Sequence, residues 1–276
     1  MEYKASLPEH NDNVSHDQPV REFILLFFGI TIFLLVVFWT LGLFVDRAVD
    51  YISPEMEGII FSSAAVSTTE EIDGGDPRQA ELQRIVDYLR GCVDITYPLE
   101  VRLIDSDEAN ALAFPGGRIF VLNGLLDKVL SENGLSFVLA HELAHFKNRD
   151  HLRGMGRAIV FTAIAAVTTG ASSNITQLLA TASSFNNAQY SQERESLADQ
   201  QAMQALNCYY GHVGGATEFF ESMSADHQKS SYALGHYFSS HPEGLQRINN
   251  LHQLAREQNF VVKEVLTLPP VFKTQD

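Results

Sequence analysis

Residues 139–152 read LAHELAHFKNRDHL, and His141-Glu142-Leu143-Ala144-His145 inside them is HExxH. On a helix, positions four apart share a face. The two imidazoles therefore converge and can hold one metal ion, with Glu142 one step round beside an open coordination position. Zinc lowers the pKa of a bound water to about 7. A carboxylate beside it can take that proton and later hand it to a leaving amine. Ser131 caps the predicted helix, and Leu135, Val138, Leu139, Leu143 and Phe146 lay an apolar stripe along it. Two buried histidines and a glutamate are costly unless something compensates them, and a cation does so.

A catalytic zinc takes a third protein ligand, and two residues compete for the place. His151 lies ten residues after His141, giving HExxHxxNxxH, near the metzincin pattern. Asn148 stands where that pattern has glycine, and asparagine tolerates left-handed backbone. The preferred alternative is Glu195 in Glu195-Ser196-Leu197-Ala198-Asp199. Ala198, Ala202, Ala205 and Leu206 mark that helix's buried face, and Glu195 points the same way. Asp199, one turn on, is placed to accept an N–H from a ligand histidine and so fix its ring.

Around this centre the chain reads as α+β. Asp76 as N-cap and Pro77 at N1 open a helix whose buried stripe is Leu82, Ile85, Val86 and Leu89. Residues 101–105 alternate as a strand. Residues 111–114, Pro115-Gly116-Gly117 and 118–122 read as strand, turn, strand. The proline and two glycines at the head of the second strand suggest an edge with open backbone groups. Residues 158–171 form an uncharged run too short to span a bilayer, read as part of a core helix pair rather than a membrane-lying segment. Residues 158–189 as a whole are a candidate lid.

Phe23–Val45 is FILLFFGITIFLLVVFWTLGLFV, 23 residues without a charge, roughly 35 Å as a helix at about 1.5 Å per residue. It is too long for a signal peptide and about twenty residues precede it, so it reads as an uncleaved anchor. Lys4 and Arg21 precede the span and only Arg47 follows closely, which leans towards an exported C-terminal domain. The expected division is a polar tail 1–20, an anchor 21–47, a stalk 48–76, a metallopeptidase domain 77–265 and a tail 266–276. The 276 residues carry 19 basic and 34 acidic side chains, a net charge of −15. That balance excludes a nucleic-acid binder, which needs a basic stripe. Cys92 and Cys208 are too few for a disulfide scaffold, and whether they pair is open.

Four stretches make the sequence recognisable: AFPGGRIFVLNGLL at 113–126, LAHELAHFKNRDHL at 139–152, YSQERESLADQQAM at 190–203 and SSHPEGLQRINNL at 239–251. Together they resemble the HtpX, CAAX prenyl protease and BepA family of gluzincin metallopeptidases. The resemblance implies a mainly helical zincin-type domain with a small sheet after one transmembrane helix. It implies one Zn²⁺ per chain held by His141, His145 and Glu195, with Glu142 as base and His241 stabilising the oxyanion. Asp199 and Arg247 would support the ligands from behind. The strand carrying Gly116, Gly117, Ile119 and Val121 would pair with an extended substrate. Gln192 departs from the family's usual arginine, and Arg194 is the neighbouring cation that can replace it. The implied partners are the lipid bilayer and polypeptides, misfolded or membrane-associated, met at a bacterial inner membrane facing the periplasm. Prenyl-protein processing fits less well, since that branch has many spans. A tethered chaperone with a latent or structural zinc is the rival from another class.

Overall fold

The computed structural model describes residues 18–62, 75–169, 192–227, 241 and 244–273. The chain divides into two units, Met1–Phe44 and Val45–Asp276. The first holds most of helix α1 (Pro19–Val49). Its apolar residues, Phe23 through Phe44, stand exposed almost without exception, and the span is the one described helix long and apolar enough to cross a membrane. Water would not tolerate that continuous surface; hydrocarbon covers it.

The second unit begins with the last turn of α1. It continues through α2 (Pro54–Ser62), α3 (Pro77–Cys92), β1 (Glu100–Ile104), β2 (Ala111–Phe114), β3 (Arg118–Leu122) and the short α4 (Asn123–Leu126). Then follow α5 (Glu132–Lys147), α6 (Asp150–Thr169), α7 (Gln192–Tyr210), α8 (Glu218–His227) and α9 (Gly244–Glu257). The expected α+β architecture is the observed one. Helix α3 starts where its cap predicts, with Asp76 Oδ1 accepting from Arg78 N–H at 2.8 Å. Its stripe Leu82, Ile85, Val86 and Leu89 is fully buried. Helix α5 is capped by Ser131, whose Oγ accepts from Gly134 N–H at 2.9 Å. Every residue from Asn133 to Phe146 is buried, so α5 is the central element, packed on α7, α3 and β2. Phe137, Phe146, Phe219 and Phe220 are the largest wholly buried side chains around it. Cys92 and Cys208 form a disulfide that ties the end of α3 to α7, with a Cα separation of 5.8 Å.

The sheet order is β1-β3-β2, with β1 parallel and β2 antiparallel to β3. This corrects the expected substrate strand. Ile119 and Val121 lie in the central strand, wholly buried, with neighbours on both sides. Gly116 and Gly117 supply positive φ (+88° and +80°) in the turn, and Gly117 O accepts from Glu100 N–H at 2.7 Å. No open edge exists along this strand. The outer edge of β1 is closed as well, because Gln83 and Gln79 of α3 accept from Val101 and Leu103 N–H at 2.8 and 3.2 Å. The edge with no strand neighbour among the described residues is β2, whose Ala111 N–H is met by Asn110 Oδ1 at 2.9 Å. Asn110 O accepts from Leu122 N–H at 3.0 Å, so by antiparallel alternation the backbone groups of Ala111 and Ala113 point away from β3.

Two boundaries also move. Residues 48–62 are no free stalk: Val45, Val49, Phe61 and Leu152 form one buried cluster. Arg153 donates to Asp46 O and Asp50 Oδ1 at 2.6 and 2.7 Å, and Arg157 pairs with Asp46. The start of α6 thereby grips the end of α1. Nor is the C-terminal stretch a loose tail as far as Lys273. Leu268 and Phe272 are buried, and Thr267 bridges Ser131 at the head of α5. Residues 170–189 of the expected lid lie outside the described residues.

Candidate active site

Helix α5 sets His141 and His145 one turn apart, and both are wholly buried. Their Nε2 atoms face each other at 3.0 Å. Each ring's other nitrogen meets a carboxylate: His141 Nδ1 lies 3.0 Å from Asp199 Oδ1, and His145 Nδ1 lies 3.0 Å from Asp150 Oδ2. Those carboxylates accept hydrogen bonds from Nδ1–H, so both Nε2 atoms turn lone pairs towards one point. Two facing lone pairs repel unless a proton or cation sits between them.

Helix α7 brings Glu195 to the same point on its buried face, with Ala198, Asp199 and Ala202. Glu195 Oε1 is 3.2 Å from His145 Nε2, and Oε2 is 3.3 Å from His141 Nε2. His241 Nδ1 is 2.9 Å from Glu195 Oε1. Ligand atoms of His141, His145, Glu195 and His241 all lie within 4.8 Å of one another. Among the described residues, Glu142 Oε1 is buried without a hydrogen-bond partner. Facing lone pairs and an N₃O donor set together fit a divalent metal ion.

The supporting groups are fixed by charge. Arg247 on α9 binds Asp199 through Nε at 2.9 Å and Nη2 at 2.5 Å, and Nη1 lies 2.9 Å from Glu195 Oε2. Burial works to raise the pKa of Asp199, yet the Arg247 charge and the His141 contact hold it below its usual value. Burial likewise pushes Glu195 up, and the His141 and His241 rings outweigh it, leaving the carboxyl well below the ordinary range. His145 is depressed by burial but raised further by Asp150 and Glu195, to about 9. Burial is the largest influence on His241 and holds it below the usual value.

Glu142 faces the open edge. Its Oε2 accepts from Ala113 N–H at 3.3 Å, and Oε1 is 3.5 Å from His241 Nε2. A base, a ring donor, a metal-type donor set and a strand edge with no strand neighbour among the described residues meet in one place.

His151 goes elsewhere. Its Nε2 lies 3.1 Å from Glu57 Oε1 on α2, outside the donor cluster. The left-handed residue is Arg149 (φ 58°) rather than Asn148, which ends α5 in right-handed conformation (φ −78°). Asn148 instead bonds Gln201 on α7, Nδ2 to Oε1, at 3.0 Å. The turn at Arg149 swings Asp150 back onto His145. Asp150 is a site residue that the sequence reading missed, although the only signal was an acid five residues after the second histidine. Arg194 Nε stands 3.4 Å from Asp150 Oδ1, so the cation expected to replace the family's arginine lies beside the carboxylate that holds His145. His212 is structural: its Nδ1 accepts from Gly214 N–H at 3.0 Å.

Residues 76–255 match the model of peptidase family M48, and the chain belongs to that family. Among curated relatives, the mitochondrial metalloendopeptidase OMA1 of Schizosaccharomyces pombe is 28% identical over 177 residues, covering 62% of this chain and 50% of that protein. A protease HtpX homolog of Salinibacter ruber is 41% identical over 90 residues, 30% of this chain and 31% of the relative. Zebrafish (Danio rerio) metalloendopeptidase OMA1 is 35% identical over 79 residues, 27% of this chain and 16% of the relative. The chain spans half or less of these relatives.

Proposed function

We propose that this chain is a membrane-anchored zinc metalloendopeptidase. The observation that carries the reading is the convergence of His141, His145, Glu195 and His241 within 4.8 Å beside Glu142 and the open edge of β2. One zinc ion, held by His141, His145 and Glu195, would supply positive charge for the substrate carbonyl and a water acidified to near neutral pKa. Asp150 and Asp199 orient the two ring ligands and keep their protons on Nδ1. An extended polypeptide lies antiparallel to β2 and bonds the outward backbone groups of Ala113 and the carbonyl of Ala111, whose N–H stays with Asn110 Oδ1. Its arrival releases Ala113 N–H from Glu142. Glu142 Oε1 then takes the water's proton and delivers it to the leaving amine nitrogen. His241 donates to the oxygen that gains charge at the scissile carbonyl. Its closeness to Glu195 also makes it a fourth metal donor when no substrate is present.

The apolar span and the M48 relatives support a single-pass membrane protein. Lys4 and Arg21 ahead of the span favour a cytoplasmic N-terminus. The Cys92–Cys208 bridge supports an oxidising compartment for the catalytic unit, which in a bacterial cell is the periplasm. A site tethered there meets misfolded membrane and envelope proteins, so quality control is the role we assign. The test is cleavage of an unfolded polypeptide by the purified full chain with zinc. Glu142→Gln should keep the metal and lower the rate by about 10²–10⁴-fold. Equal cleavage by both proteins would refute the peptidase reading and favour a tethered chaperone.

A further inference from the structure

Helix α2 follows the membrane span by four residues and presents two unlike faces. Met56 and Ile60 stand half exposed outwards, while Glu57 turns inwards and is 1% exposed. An acid buried so completely needs several partners, and Glu57 has three. Oε1 accepts from the backbone N–H of Gly116 at 2.8 Å and lies 3.1 Å from His151 Nε2. Oε2 accepts from Arg149 Nη2 at 2.8 Å. Arg149 donates to Ile52 O as well, and Arg118 Nη2 donates to Phe61 O at 3.0 Å. Burial works to raise the pKa of Glu57, but His151, Gly116 N–H and Arg149 outweigh it and keep the carboxylate ionised.

These partners are not scattered. Gly116 lies in the turn that ends β2, the open edge. Arg149 and His151 flank Asp150, which holds His145. One carboxylate from the membrane-proximal helix therefore joins the end of the substrate edge to the loop behind the metal-binding helix. Gly117 O is held on the β1 side by Glu100 N–H at 2.7 Å, but on the β2 side Glu57 is the partner of Gly116 N–H, and both glycines occupy left-handed backbone that glycine adopts without preference.

We propose that Glu57 is a positioning residue for substrate, setting the placement of the β2 edge through Gly116 N–H. The inference rests on the peptidase reading and on an antiparallel substrate. In that arrangement, residues on the N-terminal side of the cleaved bond run towards Phe114 and the turn. Loosening the turn should penalise long N-terminal extensions and spare short ones.

The test uses the full zinc-loaded chain in detergent micelles with two fluorogenic peptides. They share a cleavage site and carry one or four residues before it. Glu57→Ala should raise KM for the long peptide about tenfold or more, as expected for losing a hydrogen bond to a charged acceptor. Its kcat and zinc content should change little, and the short peptide's KM should hold within about twofold. Glu57→Gln keeps an oxygen acceptor for Gly116 N–H and should show a smaller rise of the same kind. Hydrogen exchange in residues 111–122 should quicken in both variants. Because Glu57→Ala strands Arg149 and His151 and can fail to fold, Glu57→Gln decides the matter in that event. Equal KM changes for both peptides, an effect confined to kcat, loss of zinc, or no change at all would overturn the inference alone. A wild-type chain that cleaves neither peptide overturns the peptidase reading and this inference with it.

Discussion

His145 and His151 are six residues apart, both buried, and each faces a glutamate brought from a distant helix. One belongs to a cluster in which ring nitrogens face one another, and the other to a cluster in which a carboxylate faces only donors. Around Glu57, both carboxylate oxygens meet donors from Gly116, Arg149 and His151. Around Glu195, ring nitrogens face ring nitrogens, with His141 Nε2 and His145 Nε2 3.0 Å apart. Burial alone does not distinguish a ligand histidine from a structural one. What faces what does: ring nitrogens converge on one another beside Glu195, whereas only donors converge on Glu57.

The sharpest way to break that contrast is to exchange the two losses. Glu195→Ala should abolish stoichiometric zinc, while His151→Ala should keep about one zinc per chain; elemental analysis of the purified proteins decides between them. A His151→Ala protein stripped of metal would restore the ten-residue ligand spacing. Asp150→Asn should keep the fold and weaken zinc about 10–100-fold, measured by chelator competition, because His145 loses the carboxylate that fixes its proton. An unaltered affinity would show that Asp150 merely packs.

The Cys92–Cys208 bridge closes a separation of 116 residues. Replacing both cysteines by alanine should cost about 2–5 kcal/mol in denaturant unfolding, with the metal site intact once folded. An unchanged midpoint would mean that the bridge adds nothing to the unit. The smallest effect concerns pH. His145 rises to about 9 in the metal-free protein, from about 6.5 in the unfolded chain. Its contribution to metal-free stability is present below 6.5 and is lost as pH climbs towards 9. Zinc affinity moves the other way, increasing about tenfold per pH unit across that window, since each ion displaces one proton. Calorimetric titration at pH 6.5, 7.5 and 8.5 checks the slope; a flat series would show that no proton leaves.

The histidine–glutamate cluster was readable because its residues sit on periodic helices. HExxH and the stripe of α5, and Glu195 on the alanine face of α7, obey one spacing rule, so the ligands could be placed on faces before any coordinates. Asp150 escaped because it reaches His145 through a left-handed turn at Arg149, a residue with no preference for that backbone. Glu57 escaped because an acid in a nine-residue helix, next to a polar stretch, reads as solvated. Its burial is created by Arg149 and His151, about 90 residues away in sequence. The substrate edge was misplaced for a different reason. Strand order is tertiary information, and the proline–glycine turn marks both β2 and β3. A signal was nevertheless present: Ile119-Phe120-Val121-Leu122 is a continuous apolar run, the pattern of a strand covered on both faces.

Everything functional rests on two imidazoles and a distant carboxylate sharing one cation. X-ray absorption at the zinc edge of the loaded full chain tests this most directly. We expect a four- or five-atom nitrogen and oxygen shell at about 2.0–2.2 Å, with outer scattering from at least two imidazole rings. A shell of oxygen alone, or a zinc site without imidazole scattering, would contradict it.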